Sequence, residues 1–441
     1  MSQPTHKKTM LDKRISQIQT GRIEIIDTVR GVALLGILLI NINFFALPFY
    51  MGSNLNVRNE YSGVNYNIIW IMNLGFEGTM RALFSLLFGA SSILLLTKLE
   101  KKSSGLSPAD VYYRRLIWLM IFGIIDAYIL LWTGDILFQY AICGLFLFPF
   151  RKMKPKYLLI LGIVIMLIYN FKATLDMYEA RDTRLHGETA LALEKQNVKL
   201  TKEQEAAKKN WNEYNEDHKI ENIRIKSDNL VKDFRKGYLS IWQTVKPWNE
   251  HFETIEFYKD IFWNNMSLFF IGMALFGWGV LTGKRSNTFY WAMILTGYIL
   301  GFFLSYISFY SRVKSGFDLS LITYYLPVDV YPEKCLLIAL GHLGVVMLSY
   351  KYKVGSWLLN ALAKVGQMAF TNYLSQSIIC GFIFYGVGLG WFGALERYQI
   401  YYVVFGIWIF QIIFSNIWSL HYRFGPLEWV WRSLTYGKSS Q

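Results

Sequence analysis

Asp27 and Arg30 stand three residues apart where the apolar run Val32 to Asn43 begins, in a segment long enough to cross a bilayer. Asn41 follows Arg30 by eleven residues. Eleven steps of about 100° return to nearly the same azimuth, so the two side chains share one stripe of a helix, roughly 16 Å apart along its axis. A buried polar stripe of that kind requires partners from other helices. The simpler reading makes Asp27 a helix cap, Arg30 a positive anchor and Asn41 a solvated interfacial residue.

Further ionisable side chains lie inside apolar runs, where they are costly, and each is therefore a candidate for a site. Glu77 and Arg81 are i,i+4 neighbours, a spacing that also suits a self-neutralising pair. Asp126, in Gly123-Ile124-Ile125-Asp126-Ala127-Tyr128, has no basic residue within a turn; it is expected to be neutralised by a proton or paired across helices, with Arg81 a candidate partner. Asp135 opens the next span with Gln139 one turn on, and an Asp there is ordinarily a helix N-terminal residue. His342 is the one histidine well inside an apolar span, where a helix-to-helix hydrogen bond is commoner than a general base. Asn372 with Gln376, and Gln411 with Ser415, repeat an i,i+4 spacing that commonly joins helices. Because Glu77, Arg81, Asp126, His342 and Asn372 fall at comparable depths, they are expected to line one cavity, with Asn41 toward its far side.

Composition supplies the elements that must position these residues. Of 441 residues 53% are hydrophobic and 17% aromatic, gathered in long runs, which marks an all-α, polytopic membrane protein. Apolar spans are expected near 30–50, 66–97, 115–132, 135–150, 157–173, 261–281, 289–310, 333–350, 366–390 and 400–420, the second broken or re-entrant around Gly75 and Gly78. Lys98, Lys101, Lys102, Arg114 and Arg115, then Arg151 to Lys156, Lys284/Arg285 and Lys351/Lys353 crowd alternate connections. With ten spans, the positive-inside rule then puts both termini in the cytoplasm.

The expected organisation is a basic N-terminus (1–28), a first membrane bundle (29–171), a polar external insert (172–260), a second bundle (261–420) and a cytoplasmic aromatic and basic tail (421–441). The insert carries 16 Lys and Arg against 17 Asp and Glu, so the net +14 of the chain sits on the membrane part. That excess orients helices and touches anionic lipid; nucleic acid is not an expected partner. Thr189 to Asn215 reads as helical with many i,i+4 charge pairs. Cys143, Cys335 and Cys380 lie in apolar runs without metal-ligand spacing, so no metal is expected. No Walker A loop, Rossmann glycine pattern, HExxH or CxxC is present, which removes sequence support for an ATPase, a dinucleotide enzyme or a metalloprotease.

Five ordered motifs carry a likeness over nearly the whole chain apart from the insert: Ile26-Asp27-x-x-Arg30-Gly31-x-Ala33-Leu34-Leu35-Gly36-Ile37; Leu83-Phe84-Ser85-Leu86-Leu87-Phe88-Gly89; Trp132-x-Gly134-Asp135-Ile136-Leu137-x-x-Tyr140-Ala141; Val365-Gly366-Gln367-Met368-Ala369-Phe370-Thr371-Asn372-Tyr373-Leu374-x-Gln376-Ser377; and the tail Phe424-Gly425-Pro426-Leu427-Glu428-Trp429-Val430-Trp431-Arg432-Ser433-Leu434-Thr435-Tyr436. Together they resemble the YeiB-like (DUF418) family of bacterial membrane proteins. That family looks distantly similar to the transmembrane acyltransferases, the heparan glucosaminide acetyltransferase and sugar O-acyltransferase types, whose first helix also begins with Asp-x-x-Arg-Gly. The resemblance implies transfer of an acyl group from cytosolic acyl-CoA to a carbohydrate or lipid-linked envelope acceptor across a bacterial cytoplasmic membrane.

On that reading Asp126 or His342 acts as base, Asp27 and Arg30 hold donor phosphates, and Asn41 or Asn372 donates hydrogen bonds. Asp135, Gln139, Glu77, Arg81 and Gln376 complete the lining. The chain departs from the pattern in places. Many sugar O-acyltransferases have a histidine where Asn41 stands, many YeiB-like members have one where Asp126 stands, and residues 50–66 lack the loop histidine of the glucosaminide enzyme. The alternative class is a transporter or flippase in which the same stripe lines a path.

Overall fold

The computed structural model describes residues 23–101 and 107–437; the basic cluster Lys7, Lys8, Lys13 and Arg14, and Lys102, lie outside them. Among the described residues every regular element is a helix. In chain order the main ones are α1 (Glu24–Ala46), α2 (Gly63–Gly75), α3 (Thr79–Glu100), α4 (Pro108–Tyr128), α5 (Leu137–Leu145), α6 (Pro155–Lys195), α7 (Lys202–His218), α8 (Ile220–Lys236), α9 (Tyr238–His251), α10 (Phe262–Gly277), α11 (Asn287–Lys314), α12 (Tyr331–Lys351), α13 (Ser356–Gln367), α14 (Ala369–Phe384), α15 (Arg397–His421) and α16 (Pro426–Tyr436). Two short helices, Phe49–Ser53 and Leu55–Arg58, follow α1, and a π-helix, Phe252–Ile261, joins α9 to α10.

Among the described residues six spans are long and apolar enough to cross a bilayer: α1, the α2–α3 pair taken together, α6, α11, α12 and α15. The other four expected spans fall on the more charged α4, with Asp110, Arg114, Arg115 and Asp126, and on shorter or split helices, namely the nine-residue α5, α10, and the pair α13 and α14. The protein is thus an all-helical membrane protein. In α1 78% of the apolar window is buried by protein, against 17% in α6 and 22% in α15, so α1 is the axis of the bundle and the other two face lipid.

Close backbone approach fixes the neighbours of α1 and α3. A Cβ on Gly366 would lie 1.8 Å from the Asp27 carbonyl oxygen and one on Gly31 2.1 Å from that of Leu362, so α1 and α13 touch main chain to main chain. Gly89 and Gly272 do the same for α3 and α10, at 2.1 Å and 2.0 Å. Without water to drive association, such small-residue contacts let dispersion hold helices together.

The long second span is broken, as its glycines suggest: α2 ends at Gly75, Gly78 has φ +75° in the left-handed region, and α3 restarts at Thr79. In the insert, α6 runs unbroken across position 172 to Lys195. The stretch expected to be helical, Thr189 to Asn215, forms the end of α6 and most of α7; residues 196–201 turn between them, and Thr201 with Gln204 forms a capping box that starts α7. The insert is anchored to the bundle by Arg224, which donates to the Val57 carbonyl at 3.0 Å, and by Arg235, which donates to that of Phe392 at 2.9 Å.

Candidate functional site

Two cavities lie end to end along α1. The first, about 350 Å³, opens beside Asp27 and Arg30 and is walled by α1, α3, α4, α14 and α16. Arg30 Nη1 donates to Asp27 Oδ1 at 2.8 Å, as the i,i+3 spacing predicts, and Nη2 donates to Ser91 Oγ at 2.9 Å. Arg115 stacks over the Trp431 ring at 4.1 Å, and the Trp431 indole N–H donates to the Arg115 carbonyl at 2.9 Å. Among the described residues Arg115 has no carboxylate partner, whereas Lys98 and Arg432 share the wall with it.

The wall's two carboxylates are engaged: Asp27 orients Arg30, and Glu428 accepts from the Phe370 and Thr371 N–H groups (2.8 and 3.1 Å) and from Thr371 Oγ1 (2.5 Å), capping α14. Four cations against two committed carboxylates leave a positive rim. Deeper in, Phe84, Phe88, Leu119, Leu137, Tyr140 and Tyr373 make the wall apolar and aromatic. A pocket with a guanidinium rim and an apolar floor suits an amphiphile with an anionic head.

The second cavity, about 310 Å³, lies beside Asn41. The break between α2 and α3 turns Glu77 into it, along with Arg81, Arg312, Tyr331 and Arg397. Glu77 does not pair with Arg81; its Oε2 lies 2.6 Å from Lys334 Nζ and 3.9 Å from Arg312 Nη2. Arg81 donates instead to Asn265 Oδ1 at 3.2 Å. Arg397, expected in a short connection, is almost fully buried; it binds Glu60 at 2.7 Å and Asn43 at 2.9 Å and pins the loop after α1.

A single side-chain layer separates the cavities. Tyr140 lines the first, its hydroxyl lies 2.5 Å from Ser85 Oγ, and it donates to the Arg81 carbonyl at 3.3 Å. Met80, which lines the second, packs on Gly36, where a Cβ would meet it at 2.5 Å.

Several expected lining residues stand elsewhere. Asp126 is fully buried and lines neither cavity; both its oxygens are without a hydrogen-bond partner, and Asp135 and Ser377 are among its polar neighbours rather than Arg81. Asp135 is an N-terminal cap, accepting from Leu137 N at 3.0 Å and Phe138 N at 2.8 Å. His342 bridges helices, between the Tyr298 hydroxyl and the Gly75 carbonyl, each at 2.9 Å. Asn372 donates to Ser415 Oγ at 2.9 Å and Gln376 to Gln411 Oε1 at 3.1 Å, so these amides join α14 to α15. Gln139 is half-buried and lines neither cavity. One shared hollow is thus replaced by two, and Asp126, Arg81 and His342 belong to three different sets of helix contacts.

The residues that sequence reasoning passed over are Arg115, Lys334, Asn265, Tyr140 and Glu428. Arg115 and Lys334 sit at span ends, where charge is unremarkable, while Tyr140 and Glu428 stand inside the runs quoted above as family motifs.

Relatives match the chain over most of its length. Residues 275–438, from the end of α10 through α16, match the family model described as "Protein of unknown function (DUF418)". The chain is 30% identical over 426 residues to "Uncharacterized protein YxaH" of Bacillus subtilis (strain 168), covering 94% of each. It belongs to the YeiB-like, DUF418 family. A second member, "Uncharacterized protein YeiB" of Escherichia coli (strain K12), is 26% identical over 436 residues, covering 93% of this chain and 95% of the relative. No solved structure matches the chain. The DUF418 match takes in Glu428, Trp431 and Arg432 of the first cavity, whereas Asp27, Arg30 and Arg115 precede it.

Proposed function

We propose that the protein is a transmembrane acyltransferase that takes an acyl group from an acyl-CoA in the first cavity and passes it to a carbohydrate or envelope acceptor in the second. The carrying observation is the pair of end-to-end cavities along α1, the first with a cationic rim over an apolar floor and only one side-chain layer from the second. The proposal includes ten crossings of a bacterial cytoplasmic membrane with both termini inside, so that the first cavity opens to the cytoplasm and the second outward. Arg30, fixed by Asp27, and Arg115, fixed by Trp431, would bind the donor's phosphates.

In the transfer the acceptor hydroxyl loses its proton, its oxygen attacks the thioester carbonyl, and the CoA thiolate leaves. Asp126 and His342 stand away from both cavities, so the base is assigned to Glu77, the carboxylate on the second cavity's wall, oriented by Lys334. The test is CoA release by purified protein given acetyl-CoA and envelope extract. Arg30→Gln and Arg115→Gln should raise the KM for donor, and Glu77→Gln should abolish turnover. Release that all three substitutions leave intact would overturn the assignment.

A second reading, a transporter or flippase for an anionic amphiphile, draws on the position of Asp126 and His342: the two groups best suited to proton transfer reach neither cavity. Translocation of a labelled phospholipid in vesicles without acyl donor, lost on Arg30→Gln, would favour it.

A further inference from the structure

Charge in the second cavity is unevenly distributed. Glu60 binds Arg397, Lys334 binds Glu77, and Arg312 lies between Glu77 and Asn73, to whose Oδ1 it donates at 3.2 Å. Asp329 adds a further carboxylate near Lys334 and Arg312. Arg81 alone of the cavity's guanidinium groups forms no ion pair among the described residues: its hydrogen-bond partners are the neutral Asn265 and Tyr331, while Glu77, committed to Lys334, acts on it only through space. A desolvated guanidinium held by neutral groups is a strong site for an oxyanion, because each missing hydrogen bond to a charged group costs more than to a neutral one.

A second group stands open beside it. Asn41 is half-buried on the same wall and makes no hydrogen bond within the described protein, in contrast to Asn43, which is committed to Arg397 and Tyr401. Its amide offers two donors and an acceptor to whatever fills the cavity. Solvent alone would satisfy it, but an amide sharing a hollow of about 310 Å³ with a guanidinium that no carboxylate pairs matches the pattern of hydroxyl groups next to one negative charge.

We infer that the second cavity binds an anionic, hydroxyl-bearing ligand, its phosphate or carboxylate on Arg81 and a hydroxyl on Asn41. The inference rests on the acyl-transfer reading only for what becomes of the ligand: the hydroxyl would be the acylated group, and the negative charge the handle that positions it. Such a ligand has two sources, a soluble sugar phosphate or the headgroup of a glycerophospholipid.

The experiment is thermal unfolding of the full chain in phosphatidylcholine nanodiscs without any acyl donor, so that a failure of acyl transfer does not affect it. Three titrants are compared: glucose 1-phosphate, uncharged glucose, and phosphatidylglycerol built into the discs. Glucose 1-phosphate or phosphatidylglycerol should raise the unfolding temperature, identifying the source, and glucose should not. Arg81→Gln should weaken half-saturation about tenfold or more, Arg81→Lys less, and Asn41→Ala by a smaller factor. Lys209→Gln, on the insert and outside both cavities, should leave the response unchanged. A response to glucose that matches the response to an anion, no response to either anion, or a response that survives in Arg81→Gln and Asn41→Ala without weakening would overturn the inference. So would its loss in Lys209→Gln.

Discussion

Arg30 and Arg115 reach the same cavity by different means, and their substitution should separate accordingly. Arg30 is held by a carboxylate, so Arg30→Gln also breaks an ion pair with the buried Asp27, and loss of stability should accompany loss of donor affinity. Arg115 is held by a ring face, so Arg115→Gln should cost about tenfold in donor KM and little in unfolding temperature. Measuring both quantities on both variants checks the distinction; equal stability losses would show that Arg115 is structural. Glu428 gives a third case. It accepts three hydrogen bonds at the start of α14, and Glu428→Gln should destabilise the protein by about 2 kcal/mol in a denaturant titration. Local spacing made the Asp27–Arg30 pair and the Asp135 cap legible, because partners three residues apart or fewer are fixed by helix geometry alone. Lys334 as the partner of Glu77 was not, since 257 residues of chain separate them and only the packing of α12 against the α2–α3 break brings them together.

Helices cross where glycine allows it, and that can be tested one position at a time. Gly366→Ala would drive a Cβ into the Asp27 carbonyl, where main chain stands on both sides and no rotamer change relieves it. The expected result is displacement of α13 from α1, a loss of several degrees in unfolding temperature and a weaker donor response, since Gly366 also borders the first cavity. Gly406, in the lipid-facing α15, has nothing within 4 Å of its added Cβ, so Gly406→Ala should be neutral or raise the unfolding temperature by reducing backbone freedom. Opposite signs at two glycines of the same membrane domain would attribute the difference to packing. The break around Gly75 and Gly78 was legible because the apolar run is too long for one crossing. That Glu77 pairs with Lys334 rather than with Arg81 was not, because i,i+4 spacing holds only while the helix is continuous.

At the scale of the whole molecule the two cavities acquire a direction only if the chain's two polar ends lie on opposite faces of the bilayer. The first cavity sits at the end of α1 where Lys98, Arg115 and Arg432 gather, and the α16 helix closes it from the same side. The second sits at the other end, where the insert is fastened through Arg224 to the loop after α1. On the proposed topology the first end faces the cytoplasm, and the depth of the partition follows from helix rise: Arg30 and Asn41, one in each cavity, are roughly 16 Å apart, about half a hydrocarbon core. Single cysteines at Asn197, in the turn between α6 and α7, and at Lys353, after α12, therefore fall on opposite faces. The native cysteines are buried, so background labelling is low. In intact cells a membrane-impermeant maleimide should label the Asn197→Cys variant, and the Lys353→Cys variant only after permeabilisation. Labelling of both from one side would remove the direction and, with it, transfer from an inner donor to an outer acceptor. Both cavities would remain in place, and a path within one leaflet would then be the reading that fits them.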